Sequence, residues 1–155
     1  MTRIQALSFM LDNVPEDSQP MKDLHFFEEN FHGIMPLEIV VDTGKKRGVM
    51  RSSTLEQIAH FEESLQEVDF ISEPLSLADL VKASRQAFYN QEPDFYELPS
   101  NQDRGFVLRY LQGGGQDSTT RSILNSMVDS TGQRTRISMT VADVGSIRLD
   151  SVIEK

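Results

Sequence analysis

The sequence contains no cysteine, which excludes disulfides, zinc–thiolate sites and thiol catalysis. It contains no run of about 18 apolar residues, so no stretch of it is expected to span a bilayer, and its N-terminus lacks the basic region and apolar core of a signal peptide. Basic residues are in the minority: 15 Lys and Arg stand against 24 Asp and Glu, for a net charge of -9. Because this charge repels nucleic acid and anionic membrane surfaces, we do not expect a nucleic-acid-binding role.

The remaining composition is that of an ordinary globular domain. Of the 155 residues, 38% are hydrophobic and 25% are charged, and a chain of this length can bury a core without covalent cross-links. We therefore expect residues 1–155 to form a single domain. The order of strands and helices set out below, rather than the composition, predicts the α+β class with an inserted helical segment at about 76–128.

The stretch from Phe26 to Gly44 organises the prediction. Its first part is the end of an amphipathic helix, which we expect to stop at His32 or Gly33 because glycine favours the left-handed C-cap. Pro36 lacks an amide proton and suits the first position of a strand. In that strand we expect one buried and one exposed set of alternating residues: Leu37, Ile39 and Val41 against Glu38, Val40 and Asp42.

The other elements follow from hydrophobic periodicity and from capping residues. Two capping patterns, Ser53 with Glu56 and Ser76 with Asp79, predict helix starts. A core stripe of Leu24, Phe27 and Phe31 is predicted in the first helix, and one of Leu55, Ile58, Phe61, Leu65 and Val68 in the second. The expected order is a strand at 3–11, helices at 19–32 and 53–68, an edge strand at 70–75, helices at 76–90 and 101–111, a linker at 112–120, a helix at 121–128, a strand at 134–142 and a helix at 146–155.

Four segments in this order resemble the first large extracytoplasmic loop of bacterial exporters of the resistance-nodulation-division (RND) superfamily, in the branch that includes the mycobacterial membrane protein large (MMPL) transporters. The segments are FFEENFHGIMPLEIVVDTG, VMRSSTLEQIAHFEESL, ISEPLSLADLVKASRQAFYN and DSTGQRTRISMTVADVGS. The resemblance covers nearly the whole chain and includes no catalytic motif.

The resemblance, with two strand–helix units at 3–42 and 134–155, implies a ferredoxin-like split βαβ sheet of the RND porter type with extra inserted helices. It also implies that the chain is a piece of a longer membrane protein, lying on the periplasmic side of the bacterial inner membrane. The last strand of the sheet would then follow Lys155. We expect the position of that strand to be unfilled here, which leaves an edge open to pairing in a homo-oligomer.

The function implied by the resemblance is non-enzymatic and needs no cofactor. The domain would gate or contact a hydrophobic or lipid-like substrate during proton-driven efflux. Its partners would be the transmembrane helices and the second periplasmic domain of the same transporter. The polar face of strand 134–142 and the loop 91–100 are the candidate contact surfaces. The alternative is a free-standing soluble binding or adaptor protein of related fold.

A third hypothesis is an acid–base hydrolase, which requires Glu38 and Asp42 to be buried in one pocket with another acid. The adjacent pairs Glu28–Glu29 and Glu62–Glu63 point to different sides of a helix and do not form facing acid–base pairs. The histidines His25, His32 and His60 lack the spacing of metal ligands. We assign no catalytic, cofactor-binding or metal-binding residue.

Two loops admit two interpretations each. The basic loop 44–48 is either a solvated turn or a contact for an anion or lipid headgroup. Phe95 and Tyr96 either pack back against the preceding helix or bind a partner or hydrophobic substrate. The QGGGQ stretch beginning at Gln112 is not a phosphate loop, because no lysine follows its glycines.

Overall fold

The computed structural model describes residues 14–15, 17–31, 35–68, 70–109 and 118–142. Within them lie helices α1 (Gln19–Phe31), α2 (Ser52–Leu65), α3 (Leu77–Phe88), α4 (Arg104–Arg109) and α5 (Ser118–Met127), strands β1 (Met35–Asp42) and β2 (Arg134–Val141), and two 3₁₀ turns at Gly48–Met50 and Pro93–Phe95. The mixed α+β class is therefore confirmed. The strand predicted at 3–11, the helix stop at Gly33 and the helix predicted at 146–155 lie outside the described residues.

The chain divides into two compact units. One contains residues 1–37, 68–73 and 139–155, and the other contains residues 38–67 and 74–138. In the described part of the first unit, Ile71 forms an antiparallel bridge with Val141, and the Ser72 amide donates to the Thr140 carbonyl over 2.8 Å. Met21, Ile71, Met139 and Val141 are the buried apolar residues described there.

Strands β1 and β2 pair as a two-stranded antiparallel sheet. Asp42 lies beside Arg134 and Glu38 lies beside Ser138, which sets the register. Burial alternates along both strands because successive side chains point to opposite faces of a sheet, and in β1 the alternation is the one predicted. The edge strand predicted at 70–75 is present as isolated bridges. The bridge in the second unit joins Leu75 to Ser138.

The core of the second unit is helical. Five residues form it: Val49, Leu55, Leu77, Val81 and Val107. Leu55 lies on the apolar stripe predicted for α2, and Val81 lies on the buried face of α3. The core therefore joins α2, α3, α4 and the 3₁₀ turn at Gly48–Met50, and α3 is the helix that α2, α4 and α5 all contact.

Several predictions of side-chain position are wrong. Phe27 of α1 and Phe61 of α2, both predicted to be core residues, are 49% and 42% exposed. In α2 the buried position next to Phe61 belongs instead to Glu62. In α4 the larger apolar side chain, Phe106, is 61% exposed, whereas Val107 is fully buried. In α2 the buried face is therefore displaced by one residue from the predicted one.

Some boundaries also differ from the prediction. Helix α2 begins at Ser52 after an extended Arg51, so Ser53 lies inside the helix and the predicted Ser53–Glu56 cap is wrong. Helix α4 begins at Arg104, three residues after the predicted start at 101; it is described as far as Arg109, and the predicted end at 110–111 lies outside the described residues. Helix α5 begins at Ser118, so the last three residues of the predicted linker are helical.

Candidate functional site

Helix α3 begins with the capping box that the sequence predicted. The Ser76 hydroxyl accepts a hydrogen bond from the Ala78 amide over 2.9 Å, and the Ser76 amide donates to Asp79 Oδ2 over 3.1 Å. These contacts satisfy backbone amides that have no partner within the helix itself. Ser76 is fully buried, so the start of α3 lies inside the second unit rather than at its surface.

Glu62 of α2 lies beside this cap. Its residue surface is only 4% exposed, and neither carboxyl oxygen has a hydrogen-bond partner of acceptable geometry among the described residues. The neighbouring groups are the Ser76 hydroxyl, the Asp79 carboxylate and the Lys82 ammonium, all from α3. A buried carboxyl group without hydrogen bonds is unusual, because desolvation of a charge costs several kcal/mol per ion, as an order-of-magnitude figure.

The surroundings of Glu62 change its acidity. Burial is the largest cause and raises the pKa of Glu62 from its ordinary 4.5 to about 7. The nearby Asp79 carboxylate raises the pKa further, whereas the Ser76 hydroxyl and the Lys82 ammonium lower it in part. This carboxyl group therefore changes its protonation near neutral pH.

Sequence reasoning missed Glu62, although a signal was present. Glu62 follows Ile58 by four positions and Leu55 by seven, so it lies on the same helical face as both of these buried residues. Its neighbour Glu63 is exposed, which confirms that the two adjacent carboxylates point to different sides of α2.

Lys82 connects this cluster to the loop 91–100. Its Nζ atom lies 3.2 Å from Asp79 Oδ1 and 5.9 Å from the centroid of the Tyr96 ring. The second distance is that of a cation–π contact. Tyr96 is nevertheless 47% exposed.

Arg85 holds the same loop against α3. Its Nη1 atom lies 2.5 Å from Glu97 Oε1, and its Nε atom lies 2.8 Å from Asp103 Oδ2. The Phe95 ring stacks on Tyr89 with 4.2 Å between centroids, and the Arg85 guanidinium lies 5.3 Å from the Phe95 centroid. Of the two interpretations of this loop, packing against the preceding helix is therefore confirmed for Phe95.

Asp103 is almost fully buried, so its carboxylate depends on Arg85 for a charge that offsets its desolvation. Burial alone would raise the pKa of Asp103, but hydrogen bonds from Ser100 and Arg85 and the guanidinium charge lower it on balance. The Ser100 hydroxyl donates to the second carboxylate oxygen over 2.8 Å. Asp103 therefore stays ionised and paired.

The sheet face that carries Glu38 and Asp42 is solvent-exposed. Arg136 Nη1 donates to Glu38 Oε2 over 2.9 Å, and Arg134 Nε donates to Asp42 Oδ2 over 2.7 Å. The hydrogen bond from the Gly44 amide is the largest cause that lowers the pKa of Asp42 to about 2, followed by those from Arg134 and Gln133. The burial in a common pocket that the hydrolase hypothesis requires is absent for these two residues.

The basic loop 44–48 is a tight turn tied to the turn 129–133. The Arg47 amide donates to the Thr131 carbonyl over 3.0 Å, and the Val49 amide donates to the Gly132 carbonyl over 3.2 Å. Arg47 adopts a left-handed conformation with φ 56°. The side chains of Lys45, Lys46 and Arg47 are exposed. The predicted contact with an anion or lipid headgroup stays a prediction.

His25 and His60 are exposed, and His32 lies outside the described residues. Within the part of the chain that the structure describes, no three histidine or acidic side chains are grouped so that they can hold a metal ion. No helix in that same part is long and apolar enough to cross a membrane.

Comparisons with models of protein families, with curated proteins and with solved structures found no match to this chain.

Proposed function

We propose that this chain is a non-enzymatic extracytoplasmic domain of a proton-driven exporter of the RND/MMPL type. The observation that carries the proposal is the order of four sequence segments, 26–44, 49–65, 71–90 and 129–146, which together resemble the first extracytoplasmic loop of such exporters. Its finer architecture is proposed to be a ferredoxin-like split βαβ sheet, in which β1 and β2 are two of the strands.

The proposed role is to contact a hydrophobic or lipid-like substrate while the domain moves within the transporter. Exposed rings on the second unit support this role, since burying aromatic surface against an apolar molecule is favourable. Tyr96 and Phe106 are 47% and 61% exposed. Because Arg85 and Phe95 fix the loop 91–100 to α3, Tyr96 is displayed from an ordered position rather than from a free loop.

The first experiment is to read the native gene on both sides of these codons. We expect one apolar segment of about 20 residues upstream, and one further strand followed by several apolar segments downstream. The protein made from that full frame should fractionate with the inner membrane and expose this domain to protease added from the periplasmic side. A frame that encodes these 155 residues alone would contradict the proposal and favour the soluble binding or adaptor protein.

Substrate contact is tested in the full-length protein with the lipophilic dye Nile red as a probe. We expect Tyr96→Ser and Phe106→Ser to slow dye efflux from energised cells, because each removes an exposed ring. Gln57→Ser, an exposed polar change on α2, is the matched control and should leave efflux unchanged. Equal efflux in all three variants and the parent, at equal protein level in the membrane, would contradict the role of these two residues.

A further inference from the structure

Glu62 lies buried where α2 contacts α3, and no ion pair among the described residues neutralises it. Glu62 is buried, and both of its oxygens lack hydrogen-bond partners among the described residues. The Lys82 ammonium favours ionisation of Glu62, but that group already pairs with Asp79 over 3.2 Å. The Ser76 hydroxyl accepts from the Ala78 amide over 2.9 Å and lies 3.5 Å from Asp79 Oδ2. The local environment therefore does little to stabilise a charge on Glu62.

The charged groups that act on Glu62 come from one element. Asp79 and Lys82 belong to α3, and their opposite charges partly cancel. The 3₁₀ turn at Gly48–Met50, which also contacts α2, contains no ionisable side chain. Desolvation and the like charge of Asp79 thus remain as the two effects that oppose ionisation of Glu62.

The two protonation states of Glu62 affect the contact in opposite ways. A protonated carboxyl is neutral, tolerates burial and can share its proton with the Asp79 carboxylate beside it. An ionised carboxylate is buried with no hydrogen bond of good geometry among the described residues, and it repels Asp79, the residue that completes the cap of α3. Ionisation therefore weakens the packing of α2 on α3 and the first turn of α3 together.

We propose that Glu62 is a proton-operated switch in the contact between α2 and α3, which the protonated carboxyl group stabilises and the ionised carboxylate loosens. This inference concerns the domain itself and does not depend on its assignment to an exporter. A domain with such a switch is tighter in a mildly acidic compartment than in a neutral or alkaline one.

The direction and size of the effect follow from proton linkage. The folded chain holds the Glu62 proton up to a pKa of about 7, whereas an unfolded glutamate loses it near 4.5. The stabilising effect of the proton is therefore complete below pH 4.5 and is lost as the pH rises through 7. Between pH 5 and pH 8 the unfolding equilibrium constant should rise by a factor of about 10 to 70 through this one group, the lower figure allowing for solvent screening.

The test compares wild type, Glu62→Gln and Glu63→Gln by urea unfolding at pH 5 and pH 8. Glutamine has the shape of a protonated glutamate, so Glu62→Gln should resemble wild type at pH 5 and resist unfolding better than wild type at pH 8. The exposed neighbour Glu63 provides the control, and Glu63→Gln should keep the pH dependence of wild type. If the pH dependence of Glu62→Gln equals that of Glu63→Gln, the switch does not exist.

A measurement on the unaltered chain covers the case in which Glu62→Gln fails to fold. Carboxyl carbon NMR titration of the wild type should show one glutamate with a midpoint close to pH 7, assigned to Glu62 through its chemical shift correlations. Amide hydrogen exchange at Ala78 and Val81, corrected for the intrinsic rate, should accelerate as the pH rises from 5 towards that midpoint and should level off above it. A Glu62 midpoint near 4.5, or corrected exchange at these amides that does not change between pH 5 and pH 8, would overturn the proposal.

Discussion

Replacement of Arg85 by methionine tests which ion pair stabilises the second unit. Methionine keeps an unbranched apolar stem of similar reach and removes the guanidinium, so Asp103 loses its charged partner. Arg85 and Asp103 are both less than 10% exposed, and removing one member of a buried pair costs about 3–5 kcal/mol because the other charge remains buried. The contact with Glu97, whose side chain is 65% exposed, adds at most about 1 kcal/mol.

The expected loss for Arg85→Met is near the lower end of that range. The Ser100 hydroxyl still donates to Asp103, so the carboxylate keeps one hydrogen bond. Loss of the cation–π contact between Arg85 and Phe95 lowers the unfolding free energy by a further ~0.5–1 kcal/mol. We therefore expect about 3 kcal/mol of lost unfolding free energy. Equilibrium urea unfolding followed by far-UV circular dichroism, at pH 7 and fixed salt, measures it.

The control for Arg85→Met is Arg136→Met. Arg136 pairs with Glu38 over 2.9 Å on the exposed sheet face, so its loss should cost less than about 1 kcal/mol. Adding Asp103→Asn to Arg85→Met should recover part of the stability, since the buried charge is then gone. A loss for Arg85→Met no greater than that for Arg136→Met would show that the buried pair of Arg85 and Asp103 does not stabilise the second unit.

Two further substitution pairs test turn geometry and core packing by the same unfolding assay. Gly44 and Gly132 both have φ near +65°, where a side chain costs about 1–2 kcal/mol. Gly132→Ala should lose more stability than Gly44→Ala, because a Cβ atom at position 132 would lie 3.1 Å from the Arg47 Cα. Equal losses would show that this close approach relaxes without cost. Leu77→Ala should cost about 2–5 kcal/mol because Leu77 is fully buried, whereas Phe106→Ala, which is 61% exposed in the structure, should stay within about 0.5 kcal/mol. A reversed order would contradict the buried face of α3 or α4.

The element order of the described residues was largely predictable, because its signals are local. The Ser76–Asp79 capping box lies within four residues, and it starts α3 as predicted. The alternation in β1 and β2 has a period of two residues, and burial follows it in both strands. These signals lie within one helical turn or one strand, so they can be recognised without the tertiary structure.

The rotation of each helix was harder to predict. A stretch such as HFEESL offers both Phe61 and Glu62 as neighbours of Leu55 and Ile58 on a helical face, and hydrophobicity favours the phenylalanine. In the structure Glu62 is buried against α3 and Phe61 is exposed. The same choice arises in α4 between Phe106 and Val107, where valine is the residue that joins the core.

Three features depend on propensity and periodicity over a few neighbouring residues and could therefore be read from the sequence: the α+β class, the order of helices and strands in the described residues, and the alternating faces of the sheet. Which charges are paired or buried depends instead on how the helices pack. Arg85 and Asp103 lie 18 positions apart, and Glu62 lies 17 positions before Asp79, so no local pattern relates them. Their pairing and their burial arise when α2, α4 and the loop 91–100 pack on α3, because the surroundings of a charge set its free energy and only the folded chain assembles those surroundings.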